Sequence, residues 1–169
     1  NIKSDRVGIA LLINLKIENK NNNCAPLPNV LVDVWHCDKD GNYSEYGATQ
    51  MQQTDYSSVH FLRGRQSANS NGEVSFISIY PGWYQGRAPH IHVEVLSSSG
   101  SSLLVTQIAF PETISSGVYS STNYAVHGQA DTSNLKDTIF SDSLASELAT
   151  ITGNLTDGYT LTKTITVNG

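Results

Sequence analysis

Two histidines separated by one residue, His90 and His92, lie in a segment whose alternation of apolar and polar residues favours a β-strand. Alternate residues of a strand project from the same face, about 6.5–7 Å apart, so two imidazoles placed in this way can bind one metal ion. Tyr84 lies six residues before the first histidine, with Arg87 between them, and Tyr43 ends a Trp-His-Cys-Asp segment far upstream. Two histidines and two tyrosines indicate a mononuclear iron site in an enzyme that uses oxygen.

The ligands other than histidine decide which metal is expected, because imidazole pairs bind zinc, copper, iron and nickel. Zinc would take a further histidine, cysteine or carboxylate. Glu94 shares the strand face of the two histidines, which makes a zinc hydrolase one alternative. A phenolate oxygen instead suits Fe(III), because a tyrosine with its ordinary pKa of about 10 keeps its proton at neutral pH unless a cation removes it. The candidate phenolate donors are Tyr43, Tyr80 and Tyr84.

The hydrophobic periodicity predicts an all-β protein. Apolar or alternating runs between turn residues predict strands over 6–17, 30–35, 73–79, 90–96 and 103–110, and a terminal hairpin over 148–153 and 159–167. Charged residues make up only 15% of the chain, which also suits a turn-rich β protein. About seven or eight strands imply a β-sandwich that forms one domain over residues 1–169.

Two long stretches show no clear period. Residues 38–61 predict a loop, and a segment of this length without regular structure is usually functional. The polar composition of residues 115–142 predicts mostly loop, with a short helical turn near 135–140. We therefore expect long loops at the active site of the β-sandwich.

Charge and hydropathy argue against several classes of function. The chain has 169 residues and a formal net charge of −5, and its ten basic residues are scattered. Neither nucleic acid nor an anionic membrane surface is therefore an expected partner. No apolar run reaches the length of about 18 residues that a membrane-spanning helix needs.

The two cysteines, Cys24 and Cys37, are not expected to form a disulfide. If residues 29–37 form a strand, that strand extends about 26 Å at 3.3 Å per residue. The Cα atoms of a disulfide lie within about 7 Å of each other. We expect two buried thiols; the alternative is that Cys24 or Cys37 pairs with a cysteine outside this sequence.

Six segments, in order along the chain, carry the pattern of a known family. They are 28–34, 35–43 with the sequence Trp-His-Cys-Asp-Lys-Asp-Gly-Asn-Tyr, 61–64, 72–84, 86–93 and 104–110. Together they resemble the intradiol ring-cleavage dioxygenases, the family of the catechol and protocatechuate dioxygenases. The resemblance covers roughly residues 6–110, with a looser fit to the end of the chain, and its specificity lies in the combination of segments.

The resemblance implies a β-sandwich that holds a non-haem Fe(III) ion with two tyrosines, two histidines and a hydroxide. The first tyrosine is Tyr43, and the His-x-His pair supplies His90 and His92. The second tyrosine is Tyr84 rather than Tyr80, because the family's Thr-Ile-x-Pro-x-x-Tyr pattern falls on Ser-Ile-Tyr-Pro-Gly-Trp-Tyr at 78–84.

The resemblance also implies the reaction. Enzymes of this family use O2 to cleave a catechol ring into a muconate-type diacid, a step of aromatic compound catabolism. Tyr84 leaves the metal as the substrate arrives and, with the hydroxide, takes the catechol protons. Arg87 and Gln107 sit beside the substrate ring, where Arg87 stabilises developing negative charge. The implied partners are a small catechol-type substrate and O2.

The interval between Tyr84 and His90 is shorter than in the catechol and protocatechuate enzymes. A short loop removes one wall of the pocket, so the sequence predicts an open site with loose substrate selection. The short interval resembles a branch of the family that is often secreted or periplasmic, which predicts an extracellular or periplasmic location. The alternative function is a non-catalytic extracellular binding module that keeps the β-sandwich.

The oligomeric state is left open, with a monomer as one option. The helical dimer contact of the catechol enzymes requires a long helical N-terminal segment, and no such segment is present in the sequence.

Overall fold

The computed structural model describes residues 1–49 and 51–168, and nine strands in this part of the chain form two sheets. The strands are β1 (Ala10–Asn19), β2 (Ala25–Pro26), β3 (Leu31–Trp35), β4 (Arg63–Ser67), β5 (Glu73–Ile79), β6 (His90–Leu96), β7 (Ser102–Ala109), β8 (Thr150–Asn154) and β9 (Gly158–Val167). Two short helices, α1 (Glu112–Tyr119) and α2 (Leu144–Glu147), and a 3-10 turn (Lys20–Asn22) complete the regular structure of these residues. The predicted β-sandwich is confirmed, while the extent of the domain stays a prediction.

The first sheet is built around β1. On one side β1 pairs in parallel with β9, which in turn pairs with β8. On its other side β1 pairs antiparallel with β5 along most of its length and with β2 at its end. The parallel pairing joins the first and last strands of the chain, so the terminal hairpin closes this sheet.

The second sheet carries the two histidines. Its strand order is β4-β3-β6-β7, and all of its pairs are antiparallel. Trp35 on β3 is paired with Arg63 on β4 and with His92 on β6, and His92 is paired with Gln107 on β7. Paired residues share a face of the sheet, so these four side chains form one row across it.

The core lies between the two sheets and fixes the face from which the histidines project. On β6, Ile91, Val93 and Val95 are fully buried in the core. Burial of one such aliphatic side chain contributes about 1.5–3 kcal/mol. A one-residue slip of β6 would expose all three and turn the histidines inward. The alternation of β6 therefore holds His90 and His92 on the outer face of the second sheet.

Three local expectations are corrected by the structure. Strand β4 was not predicted, because Arg-Gly-Arg-Gln-Ser lacks apolar alternation; it is an edge strand, where charged side chains are usual. Helix α1 lies partly inside the stretch predicted as loop, because its Ser-Ser-Gly segment is a weak helix former. Cys37 is a buried free thiol as expected, but Cys24 is exposed. Cys24 lies in the turn before β2 with φ of 56°.

Neither described helix has the length and apolar character of a membrane-spanning helix.

Candidate metal centre

Three donor atoms from two distant parts of the chain converge on one point. Nε2 of His90 and Nε2 of His92 are 3.2 Å apart. Oη of Tyr43 lies 3.2 Å from each of these nitrogens. Spacings of about 3 Å are those of neighbouring ligand atoms that share an ion about 2.1 Å away. The strand that carries the histidines and the loop that carries Tyr43 thus bring together the donors that the sequence predicts.

Burial favours the neutral form of both imidazoles, and a hydrogen bond orients that of His90. Burial is the main cause that lowers the pKa of His90 to about 4 and that of His92 to about 3, and for His92 the neighbouring His90, Arg87 and Arg63 lower it further. Nδ1 of His90 donates a hydrogen bond to the carbonyl oxygen of Ala88 at 2.6 Å, so its Nε2 presents a lone pair. Neutral imidazole with a free ring nitrogen is the form that binds metals.

The third donor, the phenol of Tyr43, indicates which metal ion these residues fit. Burial raises the pKa of Tyr43 well above its ordinary value, so without a nearby cation the phenol keeps its proton. A hard, highly charged cation bound by this phenol oxygen and the two neutral imidazole nitrogens would stabilise the phenolate and so favour loss of the phenol proton. The residues present therefore fit a ferric ion. Among residues 1–49 and 51–168 no three His, Cys, Asp or Glu side chains form a metal-binding group, so Glu94 does not complete a zinc site with the histidines.

Tyr84 flanks the convergent donors. Its ring centroid lies 5.7 Å from that of Tyr43 and 5.5 Å from that of His90. Burial raises its pKa, while the nearby guanidinium of Arg87 lowers it in part. Tyr80, in contrast, is fully buried in the core, where its hydroxyl lies 2.9 Å from Oγ of Ser115. The structure thus places Tyr84, and not Tyr80, at the site.

Arg87 and Gln107 lie beside Tyr84. Nη1 of Arg87 donates to Oη of Tyr84 at 3.1 Å, and Nη2 donates to Oε1 of Gln107 at 2.5 Å. Arg87 and Gln107 are partly exposed, as are Tyr84 and His92. A cation and an amide are therefore held at the solvent-facing edge of the donor cluster.

Gln52 fixes the loop that carries Tyr43. Its Oε1 accepts the backbone N–H of Tyr43 at 2.7 Å, and its Nε2 donates to the carbonyl oxygens of Tyr43 at 3.1 Å and Thr54 at 2.9 Å. The side chain is buried. One amide thus replaces the backbone pairing that a strand would give, and it holds Tyr43 in a segment without regular structure.

The loop that carries Tyr84 packs directly against the loop that carries Tyr43, and Gly82 permits the contact. The backbone N–H of Gly82 donates to the carbonyl oxygen of Asp38 at 3.0 Å. A Cβ atom on Gly82 would lie 2.5 Å from the carbonyl oxygen of Lys39 and 2.6 Å from that of Asp38. Only glycine allows this approach, which sets the distance between the two tyrosine loops.

Three residues important to the geometry have no role in the sequence-based prediction. Gln52 and Asp137 belong to polar segments without a motif, so no signal in the sequence marks them. Trp35 lies in the family pattern, and its position opposite His92 follows only from the register of β3 against β6. Asp137 accepts a hydrogen bond from Nε of Arg87 at 2.8 Å.

Comparisons with known proteins show the family and the fold of the chain. A family model described as Dioxygenase matches residues 1–134. A solved structure described as an intradiol ring-cleavage dioxygenase from Tetranychus urticae is 29% identical, with a TM-score of 0.89 over 99% of this chain and 85% of that one. A 3-chlorocatechol 1,2-dioxygenase from Rhodococcus opacus, at 19% identity and a TM-score of 0.60 over 98% of this chain and 62% of that one, shares the fold.

Among curated proteins, a chlorocatechol 1,2-dioxygenase of Rhodococcus opacus is 29% identical over 104 residues. The match covers 50% of this chain and 38% of that relative. The chain thus matches well under half the length of this larger protein.

Proposed function

Because the chain belongs to the intradiol ring-cleavage dioxygenase family, we propose that it cleaves a catechol-type aromatic ring with O2 at a non-haem Fe(III) site and releases a muconate-type diacid. The observation that carries this proposal is the triangle of Tyr43 Oη, His90 Nε2 and His92 Nε2, with sides of 3.2 Å. Tyr84 beside this triangle supplies a second phenol oxygen.

The proposed metal ligands are Tyr43, Tyr84, His90 and His92. When bound, a ferric ion would supply a Lewis acid and redox centre that ionises the catechol and makes its ring reactive toward O2. Cleavage between the two hydroxylated carbons adds both atoms of O2 to the product.

The side chains beside the ligands have distinct roles in this proposal. Tyr84, as a phenolate, accepts a proton from a catechol hydroxyl at Oη. Nη1 of Arg87 hydrogen-bonds that oxygen at 3.1 Å and so stabilises the anionic form. The same guanidinium stabilises negative charge that develops on the ring. Gln107 accepts a hydrogen bond from Nη2 of Arg87 and so helps to hold the guanidinium beside Tyr84.

The partial exposure of Tyr84, Arg87, His92 and Gln107 supports an open site. A site with so little enclosure places few walls around the substrate ring, so we propose that catechols with bulky substituents are accepted. The extracellular or periplasmic location and the oligomeric state stay predictions.

The test is metal analysis, a visible spectrum and O2 uptake with a panel of catechols. We expect a coloured protein with one iron per chain, and incorporation of both atoms of labelled O2 into a diacid. Tyr43→Phe should lose the colour and the turnover, whereas Tyr46→Phe should keep both. Tyr46 is a matched control because its exposed ring lies only 5.7 Å from that of Tyr43, measured between centroids.

Two outcomes would overturn the proposal. Binding of catechols by the iron-loaded protein without O2 uptake would favour the binding module. Stoichiometric zinc, and intact catechols after iron loading, would exclude the ferric enzyme.

A further inference from the structure

Three edges of the Arg87 guanidinium are each held by a different residue. Nη1 faces Oη of Tyr84 and Nη2 faces Oε1 of Gln107, both at the donor cluster. Nε, on the remaining edge, donates to Oδ2 of Asp137 at 2.8 Å. The carboxylate therefore sets which edge of the guanidinium turns toward the site.

Asp137 is itself rigidly held. Its side chain is completely buried. Besides Arg87, Oδ2 accepts the backbone N–H of Ala88 at 2.7 Å, and Oδ1 accepts the backbone N–H of Ile139 at 2.9 Å. Burial alone would raise the pKa of Asp137, but the hydrogen bonds from Ile139, Ala88 and Arg87 outweigh it and lower the pKa. The group is an anchored anion, fixed before any substrate arrives.

The contact to Ala88 joins Asp137 to the strand of the histidines as well. Ala88 lies between Arg87 and His90, and its carbonyl oxygen accepts the hydrogen bond from Nδ1 of His90. The ring of Phe140, three residues after Asp137, lies 5.9 Å from Cζ of Arg87. The segment around Asp137 thus contacts Arg87 through the side chains of both Asp137 and Phe140.

We propose that Asp137 is a positioning residue that fixes the Arg87 guanidinium toward Tyr84 and the substrate ring. The inference rests on the proposed function for its catalytic consequence. Residue 137 lies beyond the stretch 1–134 that matches the family model. Without the carboxylate, Arg87 keeps only the contacts of its two terminal nitrogens with the partly exposed Tyr84 and Gln107, so its long side chain is less restrained.

The experiment compares Asp137→Asn with Arg87→Ala and with the double variant, all iron-loaded. Asn keeps the size of the side chain and one carbonyl acceptor. We expect Asp137→Asn to retain its iron and visible spectrum, to lower kcat about 10- to 100-fold, and to change KM little. In the Arg87→Ala background the second substitution should have no further effect on kcat. Asp131→Asn is the matched control, since exposed Asp131 contacts the backbone N–H of Gly86 at 3.2 Å and not Arg87.

A second measurement is independent of turnover. In protein loaded with gallium(III), a diamagnetic ion, the Nε–H resonance of Arg87 should be protected from exchange and rigid. Asp137→Asn should reduce this protection, because one oxygen must then serve the N–H groups of Arg87, Ala88 and Ile139. An unprotected resonance in the wild type, or additive losses of kcat in the double variant, would overturn the inference. If the wild type lacks turnover, the proposed function fails and the Nε–H resonance still decides the role of Asp137. Should the Asn variant fail to fold, Asp137→Ser, which also removes the carboxylate, takes its place in both measurements.

Discussion

The indole ring of Trp35 lies flat against the imidazole of His92, with ring centroids 4.9 Å apart and an angle of 2° between the planes. Metal-binding histidines usually have their second ring nitrogen held by a carboxylate or carbonyl. Nδ1 of His90 has such a partner in Ala88. In the described part of the chain no residue is seen to hydrogen-bond Nδ1 of His92, and its ring plane is set by Trp35 instead.

Replacement of Trp35 should therefore weaken metal binding through His92. We expect Trp35→Leu to lower the affinity for iron about tenfold, in the range found when residues that orient a metal ligand are changed. Trp35→Phe keeps an aromatic face and should recover most of the affinity. Competition against a coloured chelator measures this. An unchanged affinity in Trp35→Leu would show that the stacking does not hold His92.

Gln52 offers a second test, directed at the loop of Tyr43. Gln52→Leu leaves the buried backbone N–H and carbonyl of Tyr43 without their partner, which should lower the free energy of unfolding by about 2–4 kcal/mol. The variant should also retain less iron, because Tyr43 is released. Gln53→Leu, the same change at the exposed neighbouring position, should have little effect. Urea denaturation and iron analysis of both variants check this, and equal losses would contradict the role of Gln52.

The strands that carry the site could be predicted because their core faces alternate. The bounds of β5 and β6 agree with the sequence-based ranges 73–79 and 90–96. Alternation predicts only that His90 and His92 share a strand face. The family resemblance is what implies that Tyr43, Tyr84, Arg87 and Gln107 lie beside them.

The contacts that orient these residues could not be predicted, because they join segments far apart in sequence. Asp137 lies 50 residues from Arg87, and its segment has no periodicity. Strand β4 lies at a sheet edge and buries too little apolar surface to leave a pattern. Hydrogen bonds between loops depend on how distant segments pack, whereas the alternation of a core strand is visible in a few consecutive residues.

His36 predicts a pH dependence of stability. It is fully buried, with Nδ1 2.8 Å from the carbonyl oxygen of Cys37 and Nε2 2.7 Å from Oγ of Ser78. Burial is the main cause that lowers its pKa to about 4 from the ordinary 6.5. As the pH falls, the unfolded chain therefore binds this proton first. The contribution of neutral His36 to the free energy of unfolding, about 3 kcal/mol, is therefore complete above about pH 6.5 and is lost as the pH falls toward 4.

The measurement is the free energy of unfolding of the iron-free protein between pH 4 and pH 8. His90 and His92 also have lowered pKa values in the iron-free protein, so the difference between wild type and His36→Gln isolates His36. We expect the wild type to lose about 3 kcal/mol more than the variant as the pH falls across this window. Parallel curves would show that His36 accepts a proton equally well in the folded and unfolded states.

Gly82 tests whether the two tyrosine loops depend on their close approach. In Gly82→Ala the new Cβ would meet the carbonyl oxygens of Lys39 and Asp38 at 2.5 and 2.6 Å, and since both are backbone atoms, one loop must move. We expect a loss of about 1–3 kcal/mol in the free energy of unfolding. Iron retention should fall as well, because the shift separates Tyr84 from Tyr43.

Gly117→Ala is the matched control for Gly82→Ala. Gly117 lies in α1, and nothing lies within 4 Å of the Cβ that would be added. Because glycine is a poor helix former, alanine there should stabilise the protein by about 1 kcal/mol and leave iron retention unchanged. Thermal or urea unfolding of the two variants should therefore give shifts of opposite sign. If Gly82→Ala is as stable as the wild type and keeps its iron, the spacing of the tyrosine loops does not depend on this glycine.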